Sequence, residues 1–164
     1  MMDKKDKEII ALLTEDARIT VKQIASALGI GEDEAKRRVS ALEERGVIVK
    51  YTAIINADGV DEDYVEALIE VKVTPQRGHG FDAIAEEVSS HPEVQSLYLM
   101  SGAYDLAVVV RGKSLKEISR FVSEKISTFE SVISTATHFI LKKYKVEGAE
   151  TREPDGGKRI SVQP

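Results

Sequence analysis

Ser101-Gly102-Ala103-Tyr104-Asp105 joins two apolar alternating runs, Val94 to Met100 and Leu106 to Val110. A glycine at such a hairpin permits positive φ and lets another molecule approach the backbone closely. An aspartate there bonds to nearby backbone N–H groups and holds the turn. Far upstream lies a set of different chemistry: Lys22, Gln23 and Ser26, then Lys36, Arg37 and Arg38, then Lys50. These are donors of the kind that meet phosphate oxygens. Their competing reading is a set of solvated surface charges. The two groups together point to a ligand-sensing unit joined to a DNA-binding unit.

Catalytic and metal chemistry finds little support. His79, His91 and His138 are the only histidines, and no two have the spacing of a metal-binding pair. There is no cysteine, which excludes disulfides and thiolate metal sites. No G-x-S-x-G or Walker motif occurs, and Gly78-His79-Gly80 lacks the third glycine of a dinucleotide loop. No catalytic residue, metal or cofactor is therefore expected. The chain has 164 residues and a net charge of −5, so any basic surface for nucleic acid is local. No apolar run spans a bilayer and no signal-peptide core follows Met1, so a cytoplasmic protein is expected.

The elements that must position these residues fall into two rhythms. Residues 1–55 read as three helices and a short hairpin. Asp6 to Thr14 carries Ile9, Ile10, Leu12 and Leu13. Thr20 to Gln23 is a capping box for a helix burying Val21, Ile24, Ala25 and Leu28, which Gly29 ends. Glu32 to Arg45 buries Ala35, Val39 and Leu42 before Gly46, and Val47 to Ile55 reads as β structure. Residues 56–63 read as a linker. Residues 64–146 follow a β-α-β-β-α-β order, the ferredoxin-like split arrangement. In it, Tyr64 to Thr74 and Val132 to Val146 are the outer strands of the sequence, and Ser114 to Glu117 is a second capping box. Residues 147–164 read as a mobile tail. The fold class is α+β.

Four stretches resemble the Lrp/AsnC (feast/famine) family of transcription regulators. They are Arg38-Val39-Ser40-Ala41-Leu42-Glu43-Glu44-Arg45-Gly46-Val47-Ile48, Tyr51 to Asn56, Gly102-Ala103-Tyr104-Asp105, and Val132 to Thr137. They occur in the family's order and spacing, over roughly Lys4 to Lys145. The resemblance implies a winged helix-turn-helix on double-stranded DNA and a ferredoxin-like effector domain. It also implies dimers that often build octamers, and an amino acid bound between subunits at the G-x-Y-D loop. It places Met100, Ser101, Gly102, Ala103, Tyr104, Asp105, Thr135 and Thr137 at the effector. In that setting Gly102 would bring N–H groups to a ligand carboxylate, and Asp105 would accept from its ammonium. The alternative for Asp105 is a residue that holds its own turn, with the threonines serving β propensity.

Two points stay open in the sequence. Arg38 occupies the family's regular arginine position, and either meets DNA or pairs with an acid such as Glu34 or Glu43. Glu32-Asp33-Glu34 suits a helix dipole but not a phosphate backbone. Either a carboxylate accepts from a cytosine amino group, or the helix enters the groove differently or binds weakly and relies on oligomer multivalency. Two other functions compete. Sirohaem decarboxylases share this layout but carry a histidine soon after Pro-x-Val, where this chain has Gln95 and Ser96. A sensor acting through protein partners without DNA is the third reading.

Overall fold

The computed structural model describes residues 2–56, 60, 64–74 and 80–151. Two compact units divide between Ile54 and Ile55. Most of the expected linker, and with it His79 and Gly78, lies outside the described residues.

The first unit contains α1 (Lys4–Glu15), α2 (Val21–Leu28) and α3 (Glu32–Glu44). Asp3 caps α1 by accepting from the Asp6 N–H, and Asp6 reciprocates on the Asp3 N–H. Thr20 and Gln23 form the same reciprocal box on α2. Each box satisfies two of the N–H groups a helix start leaves open. Gly29 ends α2 at φ 61°, a left-handed conformation that glycine adopts without Cβ strain. The Ile30 N–H then bonds back to the Ala25 carbonyl. This turn brings α3 across α2. Gly31 offers no side chain to cap α3, so Glu32, Asp33 and Glu34 complement its dipole instead. Ile9, Ile24, Ala25, Ala35 and Leu42 form the core of this unit.

Val47 to Ile55 does not form the expected β structure: no strand is present there among the described residues. The N–H groups of Val47 and Ile48 both turn back to the Leu42 carbonyl, which closes α3 instead of starting a ladder. The alternation is real, but no second strand faces it, and Val49 is 88% exposed.

The second unit holds β1 (Val65–Val73), α4 (Asp82–Ser89), β2 (Val94–Leu99), β3 (Leu106–Gly112), α5 (Leu115–Phe121) and β4 (Val132–Ile140). The sheet order is β2-β3-β1-β4, with every neighbouring pair antiparallel. Ala67, Ile69 and Val71 lie opposite Val110, Val108 and Leu106, and these six are buried under α4 and α5 through Ile84, Val88, Ile118 and Phe121. Glu66, Leu68, Glu70 and Lys72 alternate onto the other face. The helix α5 continues through a π turn, Val122–Ile126, closed by the Ser127 N–H on the Val122 carbonyl. Ser114 caps α5 as expected, but Glu117 reaches past Ser114 to the Lys113 N–H at 2.6 Å.

Two boundaries are corrected. The last sheet strand ends at Ile140, and a separate pair follows, β5 (Lys145–Val146) and β6 (Ala149–Glu150). The segment from Glu147 therefore begins as a hairpin and not as a mobile tail. Gly148 takes φ 83° at its turn, and buried Thr151 closes it with N–H and hydroxyl bonds to the Tyr144 and Lys143 carbonyls.

Candidate nucleic-acid interface and effector loop

Lys22, Gln23 and Ser26 are exposed on α2, Lys36 and Arg37 are exposed on α3, and Lys50 is exposed beyond it. The side-chain oxygen of Gln23 is already committed, accepting from both the backbone N–H and the hydroxyl of Thr20. Arg37 spends one N–H on the Asp33 carbonyl at 3.3 Å.

Arg38 is in a different position. Its Nη1 donates to Asp6 at 2.7 Å and to Asp3 at 2.8 Å, and its Nε donates to Glu34 at 3.0 Å. Three carboxylates hold the guanidinium firmly protonated. The bond from the Asp6 N–H, then the one from Arg38, hold the Asp3 carboxyl below its usual range. Of the two acids expected to compete for Arg38, Glu34 takes it, and Glu43 instead accepts from the Tyr51 hydroxyl at 2.9 Å. Burial first, then the Glu43 carboxylate, push that phenol up. Of the two roles open to Arg38, these contacts supply the pairing with acids that packs α3 against α1. The cage also changes the meaning of the acidic first turn. Glu34 is turned inward to Arg38 and to Lys5 at 3.9 Å, and only Glu32 and Asp33 remain fully exposed.

The effector loop is tied at its base and open at its tip. The Met100 N–H donates to the Asp105 carbonyl at 2.7 Å, and the Asp105 N–H donates to the Val71 carbonyl at 3.1 Å. The Asp105 carboxylate accepts from the Val73 N–H at 2.8 Å. Asp105 therefore clamps β1 and does not hold its own turn. Ser101, Gly102 and Ala103 are exposed, and Tyr104 is half-buried. Gly102 does not take positive φ, which corrects the reason first given for it, and a Cβ built there meets nothing within 4 Å. Thr135 pairs with Val71 and Thr137 with Ile69, so Thr135 and Asp105 reach the same end of β1 from its two sides. Both threonines are half-buried.

The side of the sheet away from α4 and α5 carries a buried acid that sequence reasoning missed. Glu66 accepts from Arg111 Nη2 at 2.7 Å and Nε at 3.0 Å, and Lys143 Nζ bonds its other oxygen. Burial alone would raise this carboxyl, but the two cations outweigh burial and hold it below the usual range. The Arg111 guanidinium stacks on the Tyr64 ring at 4.2 Å. His138 Nε2 stands 3.4 Å from Glu70 on the same side. Among the described residues no group of three or more acids and histidines gathers as metal ligands, and no helix is long and apolar enough to cross a membrane.

Two family models match this chain: a winged helix-turn-helix DNA-binding model over residues 2–49 and the Lrp/AsnC ligand binding domain over residues 66–150. The chain belongs to the Lrp/AsnC family. Like other Lrp/AsnC proteins it is a DNA-binding transcriptional regulator and not an enzyme of the same layout. It is 48% identical over 164 residues to the HTH-type transcriptional regulator YugG of Bacillus subtilis, covering 99% of each chain. Solved Lrp/AsnC structures share its fold. The leucine response regulatory protein LrpA of Mycobacterium tuberculosis aligns with TM-score 0.74 at 24% identity, over 92% of this chain and 99% of that one. The regulator NMB0573 of Neisseria meningitidis, solved as an L-Met complex, aligns with TM-score 0.67 at 24% identity, over 95% and 98%.

Proposed function

We propose that this Lrp/AsnC regulator binds an amino acid at the 100–105 loop and that the effector alters how copies of the chain associate on DNA. The reader is residues 1–55, the connection 56–63 and the receptor 64–146. The protein works in the cytoplasm as a homodimer or a larger ring such as an octamer. The observation that carries the effector reading is the loop's construction. Asp105 fastens its base to β1 through Val73, while the tip from Ser101 to Ala103 offers open backbone. One carboxylate oxygen of Asp105 is engaged by Val73, and the other would accept from a ligand ammonium. Backbone N–H groups near Gly102 would take the carboxylate, with Met100, Tyr104, Thr135 and Thr137 around the side chain. Ligand binding, the role of the matching domain family, and the L-Met held by the Neisseria regulator support this chemistry.

On the DNA side, Lys22, Gln23, Ser26, Lys36, Arg37 and Lys50 meet the duplex, without Arg38. A dimer would hold two α3 helices about 34 Å apart or a multiple of it, one turn of DNA. Effector and DNA must change each other's affinity by the same factor. Titration calorimetry of the full chain with each common amino acid tests the effector half. One or a few should bind, and duplex DNA should shift that affinity. Failure of all of them at millimolar concentration would refute it.

A further inference from the structure

The cage that withdraws Arg38 leaves a cleft beside it. An open cleft of about 380 Å³ runs along α3, lined among others by Arg37, Arg38, Ala41 and Arg45 and by Asp6 and Glu34. Residues 37, 41 and 45 are spaced i, i+4, i+8, so they form one row along the helix. One turn back the row begins at Asp33, so it reads aspartate, arginine, alanine, arginine, and all four are exposed. Arg45 makes no side-chain hydrogen bond or ion pair among the described residues, and Arg37 has only its bond to the Asp33 carbonyl. Ala41 leaves the middle of the row low. We propose that this row is a seat for the sugar–phosphate backbone of duplex DNA, with Arg45 as a phosphate contact at the far end of α3.

Three features support that occupant. The acids lining the cleft do not repel it. Asp6 and Glu34 are bound by Arg38, with Lys5 also near Glu34, so two carboxylates and three arginines line the cleft. The residues that flank Arg45 do not cancel it either. Neither Glu43, which accepts from the Tyr51 hydroxyl, nor Glu44 forms an ion pair with Arg45 among the described residues. Finally, the span fits. Eight residues of helix cover about 12 Å, which matches three to four phosphate steps at about 3.4 Å of rise per strand. With a small residue between the two arginines, one strand can lie along the row and present phosphates to a guanidinium at each end.

This inference rests on the DNA-binding reading, and its test separates the two. The full chain is titrated into a mixed-sequence duplex of about 40 base pairs, followed by fluorescence anisotropy at several salt concentrations. Phosphate contacts appear as the slope of log affinity against log salt, about 0.9 per contact. R45Q and R37Q are each expected to lower the slope by about one contact, and the double variant by about two. R45K should keep the slope, and A41E should weaken binding by placing a carboxylate in the seat. A wild-type slope in R45Q, with binding otherwise intact, overturns the seat alone. A wild-type chain that binds no duplex overturns the DNA reading and the seat together.

Discussion

Arg38 Nη1 lies 2.7 Å from Asp6 Oδ1, and this contact ties the middle of α3 to the first turn of α1. Asp6 is buried, and it already accepts from the Asp3 N–H in the capping box. D6A therefore removes a cap and leaves Arg38 short of a partner. It should lower the unfolding midpoint, because a cap and one of three charge-assisted bonds are lost together. R38Q should also destabilise the first unit, and the double variant should cost less than the two singles added, because they share one network. Urea unfolding followed by circular dichroism measures all three. Simple additivity would show that the contact carries no coupling.

Gly46 follows α3 at φ 66° with open space where a Cβ would stand. Alanine there would meet no neighbour, so its whole cost is backbone strain, about 1–2 kcal/mol. G46A should lower the thermal midpoint without changing the slope of DNA binding against salt. A G46A midpoint equal to wild type would mean that the chain leaves α3 by another route.

Asp105 separates clamping from charge. D105A strands the Val73 N–H and should destabilise the second unit by about 1–3 kcal/mol. D105N keeps an amide oxygen for Val73 and should retain nearly wild-type stability, yet lose affinity for an ammonium. Unfolding and calorimetry on the same pair of variants distinguish these effects. If D105N binds the effector as tightly as wild type, the carboxylate has no role in recognition.

Glu66 gives a pH dependence of known sign. Arg111 and Lys143 depress its folded carboxyl below the ordinary glutamate value of 4.5. Its stabilising contribution is therefore complete above that value and is lost as pH falls through the depressed one. The E66Q chain should be less stable at neutral pH and should show a shallower loss of stability on acidification. Chemical unfolding at a series of pH values from 7 to 3 reads both. Parallel curves for E66Q and wild type would assign the acid sensitivity elsewhere.

The parts of this molecule that were legible in the sequence are those built from neighbours. The Thr20–Gln23 box, the glycine stops and the order of strands all rest on local spacing, and the structure shows each of them. What stayed hidden depends on distance along the chain. Asp3 and Asp6 reach Arg38 across 35 and 32 residues, and Asp105 reaches Val73 across 32. A pattern search that weighs charges within one helix favours Glu34 and Glu43 and sees neither aspartate. Val47 to Ile55 failed for the opposite reason. Alternation is a local property, but a strand needs a partner, and none of the described residues of this chain supplies one. The Asp105 loop was found as a turn, while its anchoring to β1 required the sheet register.

The capping aspartate at position 3 has a practical consequence. Asp3 is a structural member of the helix-turn-helix unit, because it is one of the three acids that hold Arg38 of α3. Replacing Asp3, or crowding the turn that holds it, removes one of those acids and risks tilting α3.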